Sequence, residues 1–486
     1  MREGNQVGRR KGLLLFRGHR SRVSFLIIIL GALTPISNQA ASLKLNPQLY
    51  LSYNYNSNVY AVDPTQVDPT MVQYLNALVG LETTYKTSHF ELGTKGSLGT
   101  TYYLDASTNG HIATAKDLGN LGYLRAAAGV WATYNGRILS VDITDDILRT
   151  RSLSDLYGPQ TDVISEIYLF TDNLAAIQFR YHPSPKTRVL LKYSYEYLLF
   201  TKADNDIFTV TVTPVTTGIL LPPDSYEHRG FLRGEYDLNP RNTVSLDTQA
   251  GERIFLRREV NDVDFPYLDY NFLQGLLGYK HRFNERAEAE ISAGGHLRQY
   301  FYEESDYPPS FFGGRHGLAS GHADINPRNS NPVARASFSY TIPKKIELSL
   351  RGEYAASTYG QSIFYDYVSG KLQLKYFLTR KIYAELNGSY NYDAFDLERN
   401  VAYRDVWRHD RSDHIYVGQA GLYWDVILKN EEAWLKVGAG YMHQRRDSNI
   451  DKEKDYWDPA FFRSLDTDVD HAYAEVSFLP MILVGR

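Results

Sequence analysis

From Leu43 onward the chain alternates between apolar and polar positions with a period of two. Residues 346–354 (IELSLRGEY) place Ile346, Leu348, Leu350 and Tyr354 on one side and Glu347, Ser349, Arg351 and Glu353 on the other. Phe90, Leu92, Leu98 and Tyr102 oppose Glu91 and Lys95 in the same way. Ala287, Ala289, Ile291, Ala293 and Leu297 oppose Glu288, Glu290, His296 and Arg298, and Ala433, Leu435, Val437, Ala439 and Tyr441 oppose Trp434 and Lys436. Successive side chains of a strand point to opposite faces, so each stretch has one apolar and one charged face. A soluble β-sandwich alternates too, and alternation alone does not separate the two.

The connections do. Tight turns fall near Lys86–Ser88, Asn135–Gly136, Pro183–Lys186, Asn239–Asn242, Asn284–Glu285, Pro343–Lys345, Thr379–Arg380 and Lys429–Glu431. Longer, polar connections lie between them at Asp105–Leu118, Thr201–Asp224, Glu303–Asn331, Ala394–Arg411 and Arg446–Thr467, with a short one near Thr358–Ser362. Alternating short and long connections mark a transmembrane barrel with periplasmic turns and external loops. The expected fold is therefore all-β: a single transmembrane antiparallel β-barrel of about 18 strands from about Leu43 to Phe478. Its strands would run ~10–16 residues, enough to cross a tilted bilayer and longer than soluble strands. The apolar faces end in aromatics, among them Tyr85, Tyr102, Tyr134, Tyr181, Tyr236, Phe301, Tyr354, Tyr392, Tyr441 and Phe478. Amphipathic rings prefer the headgroup level, which accounts for that placement.

Composition agrees: 39 Tyr in a chain whose mean hydropathy is −0.38 requires apolar and polar residues to be interleaved. A formal charge of −4 without a basic stripe excludes nucleic acid as a partner. The absence of cysteine excludes disulfides, thiolate chemistry, Cys-ligated metals and a lipidated N-terminal Cys. Arg9, Arg10, Lys11, Arg17, Arg20 and Arg22 precede the apolar run Val23–Leu33, which is shorter than the ~20 residues of a spanning helix. With Ala40 and Ala41 following, residues 1–41 read as a signal peptide and 42–486 as the barrel; a membrane anchor is the alternative. The long basic region and Asn38 leave the cleavage site open.

The first strand, Tyr50–Tyr60, reads YLSYNYNSNVY. Tyr53, Tyr55, Asn56, Ser57, Asn58, Val59 and Tyr60 resemble the opening of the beta-barrel porin 2 family, which includes exopolysaccharide-cluster outer-membrane proteins. The resemblance implies a barrel of unspecified transport selectivity, serving solutes or a secreted polysaccharide, and brings no catalytic residue. The final strand, HAYAEVSF, resembles the C-terminal signal read by barrel-assembly machinery, although LPMILVGR follows the aromatic.

In a barrel the inward positions are the functional surface. Strand register places Lys95, Arg125, Arg180, Arg188, Lys192, Arg233, Arg253, Lys280, Arg298, Arg335, Arg351, Lys371, Lys375 and Lys436 inside. Glu91, Asp142, Glu196, Glu235, Asp247, Glu288, Glu290, Glu347, Glu353, Glu385 and Glu475 intermingle with them. The cations form either a path for anionic solutes or one half of a cross-strand salt-bridge lattice; a plain non-selective channel is the third reading. Glu303–Asn331 would fold inward as a constriction or cover the mouth, and its His316, His322 and Asp324 fit no familiar metal spacing. Asp466, Asp468 and Asp470, with Asp447, Asp451, Asp455 and Asp458, offer hard oxygens for Ca²⁺ or Mg²⁺ bridging lipopolysaccharide phosphates, or simply form a solvated acidic loop. No His–Ser or Asp–His cluster marks a strand end, so neither an enzyme, a cofactor nor a metal is expected. The expected function is passage of solutes or secreted polysaccharide across the outer membrane of a Gram-negative bacterium. A structural or surface-binding barrel without transport is the alternative. Expected partners are outer-membrane lipid, lipopolysaccharide and barrel-assembly machinery.

Overall fold

The computed structural model describes residues 42–57, 71–107, 124–150, 169–201, 224–256, 259–260, 263–264, 269–301, 328–359, 363–395, 410–429, 432–449, 466–480 and 482–484. The expected signal peptide, most of the long connections, and with them Asn58–Tyr60, His316, His322, Asp324, Asp451, Asp455 and Asp458 lie outside the described residues.

The wall strands are β1 (Ser42–Asn56), β2 (Met71–Lys86), β3 (Phe90–Ser107), β4 (Leu124–Asn135), β5 (Leu139–Thr150), β6 (Leu169–Ser184), β7 (Thr187–Thr201), β8 (Asp224–Asn239) and β9 (Asn242–Leu256). After a two-residue hairpin, β10 (Glu259–Val260) and β11 (Val263–Asp264), the wall resumes with β12 (Asp269–Arg282), β13 (Ala287–Phe301), β14 (Arg328–Ile342) and β15 (Ile346–Tyr359). It ends with β16 (Ile363–Phe377), β17 (Ile382–Phe395), β18 (Arg411–Lys429), β19 (Glu432–Ser448) and β20 (Thr467–Phe478), followed by the short β21 (Ile482–Val484). Neighbours pair antiparallel throughout, and β20 pairs with both β19 and β1, so the eighteen-stranded wall closes. A closed sheet leaves no row of unpaired backbone groups to meet lipid.

The tail after Phe478 belongs to the wall. β1 outruns β20 at the turn end, and β21 covers the remainder with Leu43 opposite Val484 and Leu45 opposite Ile482. At the outer end, β19 still pairs Ser448 with Asp413. Observed strands reach 19 residues, longer than expected, because ladders continue past the apolar belt.

Turn chemistry explains the short connections. Asn239 Oδ1 accepts the Arg241 N–H at 2.9 Å, Asn284 Oδ1 accepts that of Arg286 at 2.8 Å, and Thr379 Oγ1 accepts that of Ile382 at 2.9 Å. Such side chains satisfy turn amides that the ladder leaves free. Gly136 is required for space, since a Cβ there would lie 2.5 Å from the Leu139 carbonyl oxygen. The tight turns all lie at one end of the wall, as the periplasmic turns of a transmembrane barrel do.

The two faces separate cleanly. Leu51, Leu98, Leu246, Leu277, Ile291 and Leu422 are all exposed on the outside. Outward Gly96, Gly275, Gly370 and Gly418 would each place a Cβ in open space. Inward Gly93, Gly251 and Gly438 would instead drive one into Trp131, Phe272 and Tyr423, as the crowded concave side of a curved sheet demands. Outward aromatics ring both ends: Tyr85, Tyr134, Tyr181, Tyr236, Tyr376 and Trp424 near the turns, and Tyr53, Tyr102, Tyr193, Tyr416 and Tyr441 near the long connections. On β8, ten residues separate Tyr226 from Tyr236. At ~3.4 Å per residue and a tilt of ~40° this spans about 25 Å, the height of a barrel's apolar band.

Candidate functional site

The inner face carries the charge. Ladder register places all fourteen cations expected there on the face opposite the exposed leucines. Most are tied to carboxylates of the neighbouring strands. Lys95 meets Asp146 at 2.6 Å, Lys280 meets Glu288 at 2.9 Å, Arg335 meets Glu353 at 2.7 Å, and Arg180 binds Asp142. Lys375 and Lys436 stand 3.5 and 3.8 Å from Glu385 and Glu475, while lying 4.0 and 4.1 Å from the ring centroids of Tyr383 and Tyr423.

The densest part crosses β7, β8, β9 and β13. Arg188 bonds Glu235 at 2.7 Å and both oxygens of Asp237 at 2.7 Å. Arg233 reaches Glu235 at 2.7 Å, Glu290 at 2.9 Å and Asp247 at 3.5 Å. Higher on the wall, Arg253 stands 3.6 Å from Glu227 and bonds Ser225 at 3.1 Å, and Arg298 lies 4.4 Å from the ring centroid of Tyr270. Arg125 is also partnered. Lys192, Arg351 and Lys371 differ: none of them makes an ion pair or hydrogen bond among the described residues. The cations therefore do not form a continuous free path, and the lattice dominates.

Accessibility divides the inner face by height. In the periplasmic half Lys95 and Arg180 keep 51% and 44% of their side-chain surface. In the outer half Val72, Phe170, Leu198, Leu276, Val333 and Ile415 are essentially fully buried. There too, buried Asp413 is clasped by Arg411 at 2.5 Å and by Arg446. The inner face thus carries solvated ion pairs below, while above it combines these buried side chains with the exposed Arg125 and Arg229.

Sequence reasoning overlooked Glu227, Arg229, Asp237, Asp146, Arg411, Asp413 and Arg446. The first three share the parity of Arg233 on the same strand, so the signal was present. Asp468 and Asp470, expected in a loop, are on β20 and face outward beside β19; Asp466 instead accepts the Ser448 N–H at 2.6 Å. Asp470 accepts a hydrogen bond from Tyr441, His443 lies 3.0 Å from Asp470 and 3.5 Å from Asp468, and all three groups lie within 4.8 Å of one another. The cluster binds itself.

No family model matches the sequence, and no curated protein matches it. Among solved structures the chain is similar to Pseudomonas aeruginosa OpdK with vanillate, at 12% identity over 90% of this chain and 99% of that one, TM-score 0.44. Similar too are Pseudomonas aeruginosa OprD (11% identity, 92% and 97% covered, TM-score 0.41) and Acinetobacter baumannii OccAB4 (9%, 92% and 100%, TM-score 0.44). At these scores the likeness carries no ligand or selectivity across to this chain.

Proposed function

We propose that the protein is an outer-membrane channel that admits small hydrophilic solutes through its ion-paired lumen. The observation that carries this is the reversal of polarity across one closed wall. A belt of exposed leucines and rings about 25 Å tall faces out, and an inner face of hydrated Lys, Arg, Asp and Glu faces in. The outside suits a bilayer and the inside suits water and polar solutes. The work of the site is conduction and selection, without catalysis. The salt-bridge lattice stiffens the wall, because several neighbouring strands, among them β5–β6, β7–β8, β12–β13 and β14–β15, are cross-linked by charge as well as by their ladders.

The secreted polysaccharide implied by the family resemblance fits this lumen less well than small solutes do, since Val72, Phe170, Leu198 and Ile415 on the outer half of the inner face are buried against other groups. Swelling of proteoliposomes in isosmotic solutes of graded size tests the choice. Swelling should be fast for small sugars and organic anions and fall steeply with solute size. Equal rates for oligosaccharides and monosaccharides would favour a polymer channel, and no swelling in the smallest solute would end the channel reading.

A further inference from the structure

One row across the inner face departs from the lattice. Ser337 on β14 is opposite Arg351 on β15, Arg351 is opposite Lys371 on β16, and Lys371 is opposite Ser389 on β17. Two cations thus face each other directly across a ladder, with a hydroxyl on each flank. Directly opposed side chains have Cβ atoms ~5 Å apart, and like charges at that spacing repel. Elsewhere on this wall the same repulsion is removed by a carboxylate. Here no carboxylate is directly opposite either cation: Glu353 is held by Arg335 at 2.7 Å, and Glu347 and Glu385 are both opposite Lys375, four residues along β16 from Lys371. Arg351 and Lys371 are both exposed, in the open periplasmic half, and have no ion pair or hydrogen bond among the described residues.

We infer that Arg351 and Lys371, flanked by Ser337 and Ser389, form an oxyanion-binding subsite in the lumen, suited to a phosphate-like dianion. The inference rests on the channel reading for its role in solute selection, while its binding chemistry stands without it. A guanidinium offers a planar pair of donors and an ammonium a point charge, so together they surround one tetrahedral group. The serine hydroxyls can donate to its remaining oxygens. Occupancy also removes the repulsion between the two cations, so bound anion and wall stabilise each other. In this account Arg188 and Arg233 attract no solute, because their charge is spent on Glu235, Asp237, Asp247 and Glu290.

The test is calorimetric titration of the detergent-folded barrel with inorganic phosphate at low ionic strength. It needs no conduction, so a failed channel reading and a failed subsite remain distinguishable. Folding of each variant is checked by heat-modifiable migration. Arg351→Gln combined with Lys371→Gln should weaken phosphate binding at least tenfold, as the loss of one charge-assisted contact already would. Exchanging the two cations, Arg351→Lys with Lys371→Arg, keeps both charges and should retain binding within a few-fold. Lys280→Gln removes a lattice cation and should leave binding unchanged. Wild-type affinity in the double Gln variant, or an equal loss in Lys280→Gln, would overturn the subsite in favour of a diffuse field. Should the double Gln variant not fold, Lys371→Gln alone must still weaken binding, or the inference falls. No phosphate binding by the wild-type barrel would also overturn it.

Discussion

Arg233 holds three carboxylates at once, and no neighbouring cation reaches Asp247 or Glu290 in its place among the described contacts. Replacing it with Gln leaves Asp247 and Glu290 without their cation, while Glu235 keeps Arg188, and we expect a loss of about 2 kcal/mol. Lys280→Gln, which breaks a single half-exposed pair, should cost less than about 1 kcal/mol. Urea unfolding midpoints in lipid vesicles would separate them, and midpoints of both variants equal to that of the wild type would mean that the lattice contributes nothing to stability. On the other face, Leu350 lies within the apolar belt between Phe338 and Leu372. Leu350→Arg should cost about 2–4 kcal/mol and reduce the heat-modifiable fraction. Normal folding of that variant would reverse the assignment of faces on β15. At this scale the face of each residue was legible, because a period of two leaves only one choice once a single exposed leucine is placed. The partners were not. Arg188 reaches past Glu235 to Asp237, and only the register between β7 and β8 brings both within its span.

The elements were legible where turn chemistry is local. Asn239, Asn284 and Thr379 announce their turns by the side-chain oxygen that caps them. The barrel's seam was not legible, because β1 and β20 meet across more than 400 residues and nothing local records it. The role of the last residues was hidden for the same reason: β21 completes β1's edge only after closure. The chain has no cysteine, so the seam can be tested with paired substitutions. Leu51 is directly opposite Val476. Leu51→Cys with Val476→Cys should oxidise readily to an intramolecular disulfide, since directly paired strand residues fall within the ~4.4–6.8 Å Cα range of that bond. Tyr53→Cys with Val476→Cys sets a diagonal pair at ~7–8 Å and should cross-link poorly. Equal yields in folded protein would place the seam in another register, and no yield in either would leave the barrel open.

For the whole molecule, the proposed conduction rests on one closed wall with opposite solvents on its two sides. Its lower lumen is hydrated and charged on both signs, and apolar side chains such as Val72, Phe170 and Ile415 on the outer part of its inner face are buried. That asymmetry predicts a channel narrower than its strand number alone would give. Architecture at this scale was read correctly from alternation and connection length, because both follow from the bilayer's thickness rather than from any tertiary detail. The burial of Val72, Phe170 and Ile415 was not, since their strands look alike whether the lumen beside them is filled or open. The most direct test is single-channel recording of the folded, heat-modifiable protein in a planar lipid bilayer. The account predicts discrete, repeatable conductance steps that scale in number with inserted protein and are absent from the heat-unfolded sample. Folded protein that inserts into the bilayer without producing such steps would contradict it and leave a barrel that does not transport.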